Sequence, residues 1–113
     1  MKEIKAYIRP HKLSEVTLAL HKVEGLSGMS VINAHGFGRG RAAPSPRHTE
    51  APVMDTTACV KIEILCRDEL VEEVVSAIGQ SAHTGLRGDG KIYVTPVETA
   101  VRISTGERGE TVV

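Results

Sequence analysis

From Val60 to Cys66 the chain alternates without a break: Val60, Ile62, Ile64 and Cys66 against Lys61, Glu63 and Leu65. A period of two marks a strand with one face against a core, and such a strand needs both neighbours and an apolar cover. Ile4, Ala6 and Ile8 alternate with Lys5, Tyr7 and Arg9 in the same way, giving a first strand that ends at Pro10. Leu13, Val16, Leu20 and Val23 recur at spacings of three and four, the stripe of an amphipathic helix, with Gly25 and Gly28 placed to stop it. Met29 to Phe37 reads as a strand of weaker alternation. Asp68 is a candidate N-cap for a second helix carrying Val71, Val74, Val75 and Ile78 on one side. Lys91 to Thr95 reads as a last strand, stopped by Pro96. The predicted order is β-α-β-β-α-β, an α+β, ferredoxin-like arrangement with an antiparallel sheet. Two helices cover one face of such a sheet. The other is left to solvent, a ligand or partner subunits.

The 113 residues suit one domain spanning 1–113, and 41% apolar content is enough for a core. So small a domain leaves much of its surface in water, and oligomerisation is a natural supplement. Fourteen basic and fourteen acidic residues cancel, which argues against a general nucleic-acid binder but permits a local basic pocket. No apolar run approaches the ~18–20 residues that span a bilayer, and the start lacks the apolar stretch of a signal peptide. Cys59 and Cys66 share a predicted strand at an odd separation. They are expected on opposite faces, roughly 23 Å apart at ~3.3 Å per residue, too far for a disulfide. A cytoplasmic location is the expectation.

Three segments do not read as plain scaffold. Gly36-Phe37-Gly38-Arg39-Gly40-Arg41 closes the second strand with glycines that permit close backbone approach and arginines that can reach an anion. A plainer reading is a flexible exit into the long segment 38–56, where Pro44, Pro46 and Pro52 exclude regular structure. Thr84-Gly85-Leu86-Arg87-Gly88-Asp89-Gly90-Lys91 fits the first seven positions of a Walker A pattern from Gly85 onward, yet Ile92 stands where a magnesium-binding hydroxyl belongs. The helix also precedes this turn and the strand follows it, the reverse of a P-loop. What remains is a turn able to offer N–H groups to phosphates, with Lys91 as a cation, or simply a tight structural turn. The third segment is the tail, 101–113, where Arg102 could reach a phosphate or could be one of several solvated charges.

On this frame, Gly36-Phe37-Gly38-Arg39, Val60-Lys61-Ile62-Glu63-Ile64, Thr84-Gly85-x-x-Gly88-Asp89-Gly90-Lys91-Ile92 and Thr105-Gly106-Glu107 together resemble the PII nitrogen-regulatory signal-transduction proteins, from Met1 almost to the end. The resemblance implies a homotrimer binding ATP or ADP in clefts between subunits, with the role of magnesium left open. It places Ser30 near adenine and Leu65 on the nucleotide-facing side of its strand. Gly36, Phe37, Gly38 and Arg39 fall at the base of the long T-loop, about 38–56, and Gly88, Asp89, Gly90 and Lys91 in the phosphate-cradling B-loop, about 84–91. Arg102, Ile103 and Ser104 would come from a neighbouring subunit's tail. The T-loop would carry the output to a target protein, a membrane transporter or a metabolic enzyme, with Arg41, Arg47, His48 and Glu50 as contact residues. The protein itself would not be membrane-embedded.

The chain also departs from that family. Relatives that sense 2-oxoglutarate carry a glutamine where Gly40 stands and a lysine where Cys59 stands. No tyrosine is available in the loop for uridylylation, and Ser104 replaces a second tail arginine. A divergent regulator without the classical 2-oxoglutarate response is expected. Other readings stay in view. His48, Glu50, Met54, Asp55 and Cys59 could make a PII-like regulator that responds to a metal or small anion, although their spacing is not dense. An RNA-recognition module has the same element order, but Tyr7, Phe37 and Tyr93 are too few aromatics for base stacking. The five histidines are scattered and no nucleophile–base pair stands out, so no catalytic residues are assigned and a non-enzyme is expected.

Overall fold

The computed structural model describes residues 1–37 and 56–113. Four strands, β1 (Lys2–Ile8), β2 (Ser30–Gly36), β3 (Thr57–Cys66) and β4 (Lys91–Pro96), form one antiparallel sheet in the order β2-β3-β1-β4. Helices α1 (Leu13–His21) and α2 (Val71–Ala82) pack on each other and on one face of it. This is the ferredoxin-like order expected from the sequence.

The core follows the alternation. Ile4, Ala6 and Ile8 from β1 and Val60, Ile62, Ile64 and Cys66 from β3 are buried against Val16 and Leu20 of α1 and Val74, Ile78 and Ala82 of α2. β1 and β3 occupy the centre of the sheet, which is why their alternation is clean. β2 lies at one edge and is mostly exposed, which accounts for its weaker pattern. Cys66 is buried under the helices while Cys59 lies on the other face opposite Ala34, and both are unpaired.

The boundaries differ from expectation where tertiary contacts intervene. α1 ends at His21, before either glycine, and Val23 is buried beyond the helix; Gly25 makes the later turn at φ 85°. Asp68 does not cap α2. A short 3-10 turn, Asp68–Leu70, precedes the helix, and the Asp68 carboxylate pairs instead with the Met1 ammonium at 2.9 Å and Lys2 Nζ at 3.7 Å. A cation within reach outcompetes the amides of a helix end as a carboxylate partner. β3 starts at Thr57, three residues before the alternation sets in, because β2 continues to pair with it as far as Gly36. Pro96 is the last residue of β4 and lies opposite Lys2, a position an edge strand tolerates because an N–H there need not enter a ladder.

On the face opposite the helices, residues line up across the strands. Ile32, Lys61, Tyr7 and Lys91 form one row, and Ser30, Glu63, Lys5 and Tyr93 the next. Lys61 and Glu63 pair at 2.7 Å and Lys5 and Glu3 at 3.1 Å, while Tyr7 and Tyr93 meet edge to face with centroids 6.2 Å apart. Among the described residues no helix crosses this face.

One glycine is fixed by the junction of β1 and β4. Gly90 has φ 109°, and a Cβ there would lie 1.6 Å from the Tyr7 carbonyl oxygen. Gly90→Ala is expected to cost about 2–4 kcal/mol through this clash and the strained φ. Urea unfolding checks it; a midpoint equal to the parent's would mean that the junction relaxes freely.

Candidate functional site

α2 releases the chain at His83, which is extended (φ −68°, ψ 130°), and Thr84 to Lys91 then turns back into β4. Gly85 and Gly88 hold φ of 84° and 88°, a region that side chains rarely enter. The turn is organised around Asp89. Its carboxylate accepts from the Thr84 amide at 2.8 Å, from the Thr84 hydroxyl and from Arg9 Nε at 3.2 Å, and His83 Nδ1 lies 3.3 Å away. The Thr84 hydroxyl in turn accepts from the Leu86 amide at 3.1 Å. Hydrogen bonds from the Thr84 hydroxyl and amide, then the Arg9 guanidinium, hold the Asp89 carboxyl far below the usual carboxylate range. An anionic group at the centre of the turn is thereby matched by donors from the protein itself.

A recess of about 260 Å³ adjoins this turn, lined by Tyr7, Ile78, His83, Asp89, Gly90 and Lys91 among others. A second, larger groove of about 450 Å³ lies elsewhere on the sheet, lined by Ser27, Gly28, Ser30, Glu63, Leu65 and Val101 among others. The structure therefore brings Ser30 and Leu65 together, with the start of the tail beside them. The tail is a closed turn: Val101 bridges to Arg108, the Arg102 amide donates to the Glu107 carbonyl at 2.9 Å, and the Gly106 amide donates to the Arg102 carbonyl at 2.8 Å. Arg102 reaches Glu107 Oε1 at 3.4 Å, while Ile103 and Ser104 are exposed.

The turn and the groove do not meet within one copy. Ser30 on β2 and Lys91 on β4 stand at opposite edges of the sheet, three strand spacings or about 14 Å apart. They also differ in level, since Leu65 lies opposite Glu3 but Lys91 opposite Tyr7. Gly36 ends β2 opposite Thr57, past the end of β1, and Phe37 follows it, exposed. The base of the long loop and the Gly88–Lys91 turn thus share one end of the sheet. Gly38, Arg39, Gly40, Arg41, Arg47, His48, Glu50, Met54 and Asp55 lie outside the described residues. Among the described residues no cluster of three or more His, Cys, Asp or Glu could hold a metal.

A model of the family described as Nitrogen regulatory protein P-II matches residues 1–107. The chain belongs to the P-II family. Proteins called nitrogen regulatory protein P-II are similar to it almost end to end: one from Azospirillum brasilense is 51% identical over 109 residues, 96% of both chains. Relatives of the same name from Rhodospirillum rubrum and Bradyrhizobium diazoefficiens are 49% and 47% identical over the same share. The P-II match runs from β1 through the Asp89 turn to Glu107, so the turn, the groove and nearly all of the tail turn fall inside it. The relatives are named as nitrogen regulatory proteins, and among the described residues no helix is long and apolar enough to cross a membrane.

Two residues, one at the turn and one at the groove, were not legible as such in the sequence. Arg9 reads only as the polar partner in the alternation of β1, and its contact with Asp89 joins positions 80 apart. Glu63 reads as a solvent-facing strand residue, yet it lines the groove beside Ser30 and its carboxyl is lowered by a hydrogen bond from Lys61.

The Asp89 shift has a pH consequence. A carboxyl whose pKa is lower folded than unfolded adds stability above the unfolded value, ~3.9, and loses it as pH falls through the folded one. Asp89→Asn should therefore melt below the parent at pH 7, with the gap narrowing as pH drops below ~4. Thermal melts at pH 7, 5, 4 and 3 check this; a gap that does not change with pH would separate Asp89 from the acid limb.

Proposed function

We propose that the chain is a trimeric signalling subunit that binds adenine nucleotide in clefts between copies and passes its state to a target protein through the loop 38–56. The observation that carries this reading is the split site. The groove that holds Ser30, Leu65 and the root of the Arg102 turn, at about 450 Å³, has room for a base and offers it both polar and apolar walls, and the Gly88–Lys91 turn suits phosphates. In a single copy they lie towards opposite ends of the sheet, the groove at the level of Glu3 and Leu65 and the turn at the level of Tyr7. One nucleotide touching both needs the groove of one subunit against the turn of the next. The uncovered face supplies the means: three such faces, each carrying Ile32, Leu65 and Tyr93 between paired charges, can close on one another around a threefold axis.

In this reading Lys91 and Arg39 are the cations on the phosphates from one side and Arg102 from the other. Gly36 and Phe37 bring the chain to the same end of the sheet where the loop begins, so nucleotide there shifts the loop's population between states that do and do not fit a partner. Arg41, Arg47, His48 and Glu50 are the proposed contact residues on that loop, and a membrane transporter or a metabolic enzyme is the proposed target. The protein acts by contact, without catalysis of its own, in the cytoplasm.

The split site makes a test that a single-copy site would fail. Lys91→Ala should weaken ATP binding about tenfold, a charge-assisted contact being worth ~1.5–3 kcal/mol. Leu65→Glu should block the base side. When the two variants are mixed, unfolded and refolded together, about one cleft in four regains a complete pair of halves, and tight binding returns at that stoichiometry. Calorimetry on the mixture reads this, with light scattering to count subunits; a stable monomer, or no recovery on mixing, would overturn the shared site.

The altered positions set a second expectation. Gly40 has no side chain for a metal, and Cys59 offers a thiol where a cation would neutralise a carboxylate. Titration of 2-oxoglutarate in the presence of Mg-ATP is expected to give no saturable binding in the low micromolar range. Saturation there would mean that other residues have taken over both roles.

A further inference from the structure

The Asp89 turn rests on a residue that belongs to a different part of the chain. Arg9 is the residue after β1, and Pro10 behind it restricts its backbone to the extended region it occupies, φ −67° and ψ 139°. The side chain therefore leaves a fixed point at the end of the central strand. It is largely covered, 29% exposed, and divides its guanidinium between two groups of the turn. Nε donates to Asp89 Oδ1 at 3.2 Å and Nη2 donates to the Arg87 carbonyl oxygen. Nη2 also lies against the backbone of Gly88, 3.3 Å from where a Cβ would stand. Two residues earlier, the Tyr7 carbonyl lies so close to Gly90 that no side chain fits. The end of β1 thus forms a floor under the turn, with Tyr7 below Gly90 and Arg9 below Gly88 and Asp89.

We infer that Arg9 is a positioning residue for phosphate binding: it fixes the Gly88–Lys91 backbone through Asp89 and the Arg87 carbonyl while making no phosphate contact itself. The inference rests on the nucleotide reading above and deepens it. The reasoning is one of occupancy and geometry. A turn with two glycines at positive φ has many alternatives to its binding conformation, and only a support that holds it from outside removes them. The planar fork of an arginine satisfies a carboxylate and a carbonyl together, which the single ammonium of a lysine cannot do in the same geometry. The arrangement also answers why an aspartate can sit in a phosphate-binding turn. Its charge is directed at Arg9, Thr84 and His83, away from an incoming anion.

Three variants and two probes test this. Arg9→Gln should lower affinity for ATP and ADP about tenfold. Adenosine, followed by NMR at the Ser30 and Leu65 amides, should bind within about twofold of the parent, because it reads the base side alone. Arg9→Lys should recover part of the loss. Asp89→Asn should lose as much as Arg9→Gln, and the double variant should lose little more, as residues acting through one another do. In the ligand-free protein, hydrogen exchange at the Gly88 and Gly90 amides should quicken in Arg9→Gln. If Arg9→Gln folds poorly, Arg9→Lys and Asp89→Asn carry the same comparisons.

Equal ATP affinity in Arg9→Gln and the parent would overturn the inference. So would a loss that Asp89→Asn does not share, since Arg9 would then touch the phosphate directly. If the parent binds neither ATP nor adenosine, the nucleotide reading falls and the exchange measurement decides the brace by itself. Quickened exchange keeps it, and unchanged exchange removes it.

Discussion

Two helices of nine and twelve residues cannot cover both faces of a four-stranded sheet, and most of what is distinctive here follows from that. The covered face takes every fully buried side chain of β1 and β3. The uncovered face must be tolerable in water, and its composition answers that demand. Lys61–Glu63 and Glu3–Lys5 neutralise each other along their strands, while Ile32, Leu65 and Tyr93 leave apolar area between them. Surface ion pairs of this kind contribute little to the stability of one copy. In the proposed assembly they would help specify how a second sheet is laid against the first.

The sheet also sets where chemistry can occur. With β1 in the middle, its two ends reach both the Asp89 turn and the groove beside the tail, which lie towards opposite ends of the sheet. A regulator gains from such a division. In the proposed reading, a ligand held between copies would report on the assembly as well as on itself, and a loop rooted at the junction would feel both.

The turn shows how an acidic residue can serve a basic task. Asp89 carries a full negative charge beside Lys91, the lysine proposed to meet phosphate, which looks self-defeating in the sequence. In the fold its carboxylate is surrounded by Thr84, Arg9 and His83, so its charge is spent on shape. The same residue type at Asp68 tells the opposite story. There the local pattern favours a helix cap, yet the carboxylate turns to the Met1 ammonium brought alongside by the sheet. Local propensity chose a residue that either role could use, and the long-range partner chose the role.

Alternation at Val60–Cys66 and Ile4–Ile8, and the stripes at Leu13–Val23 and Val71–Ile78, were enough to determine element types, their order and the one-sided core. These are short-range consequences of where apolar side chains fall on a period of two or 3.6. Glycines at 85, 88 and 90 announced the turn by themselves, because only glycine makes those φ values cheap. The ends of α1 and β3, the partner of Asp68, the floor that Tyr7 and Arg9 place under the turn, and the separation of the turn from the groove were decided by the tertiary structure alone. Each depends on residues tens of positions apart meeting across the sheet, and a pattern confined to neighbours in sequence carries no record of such a meeting.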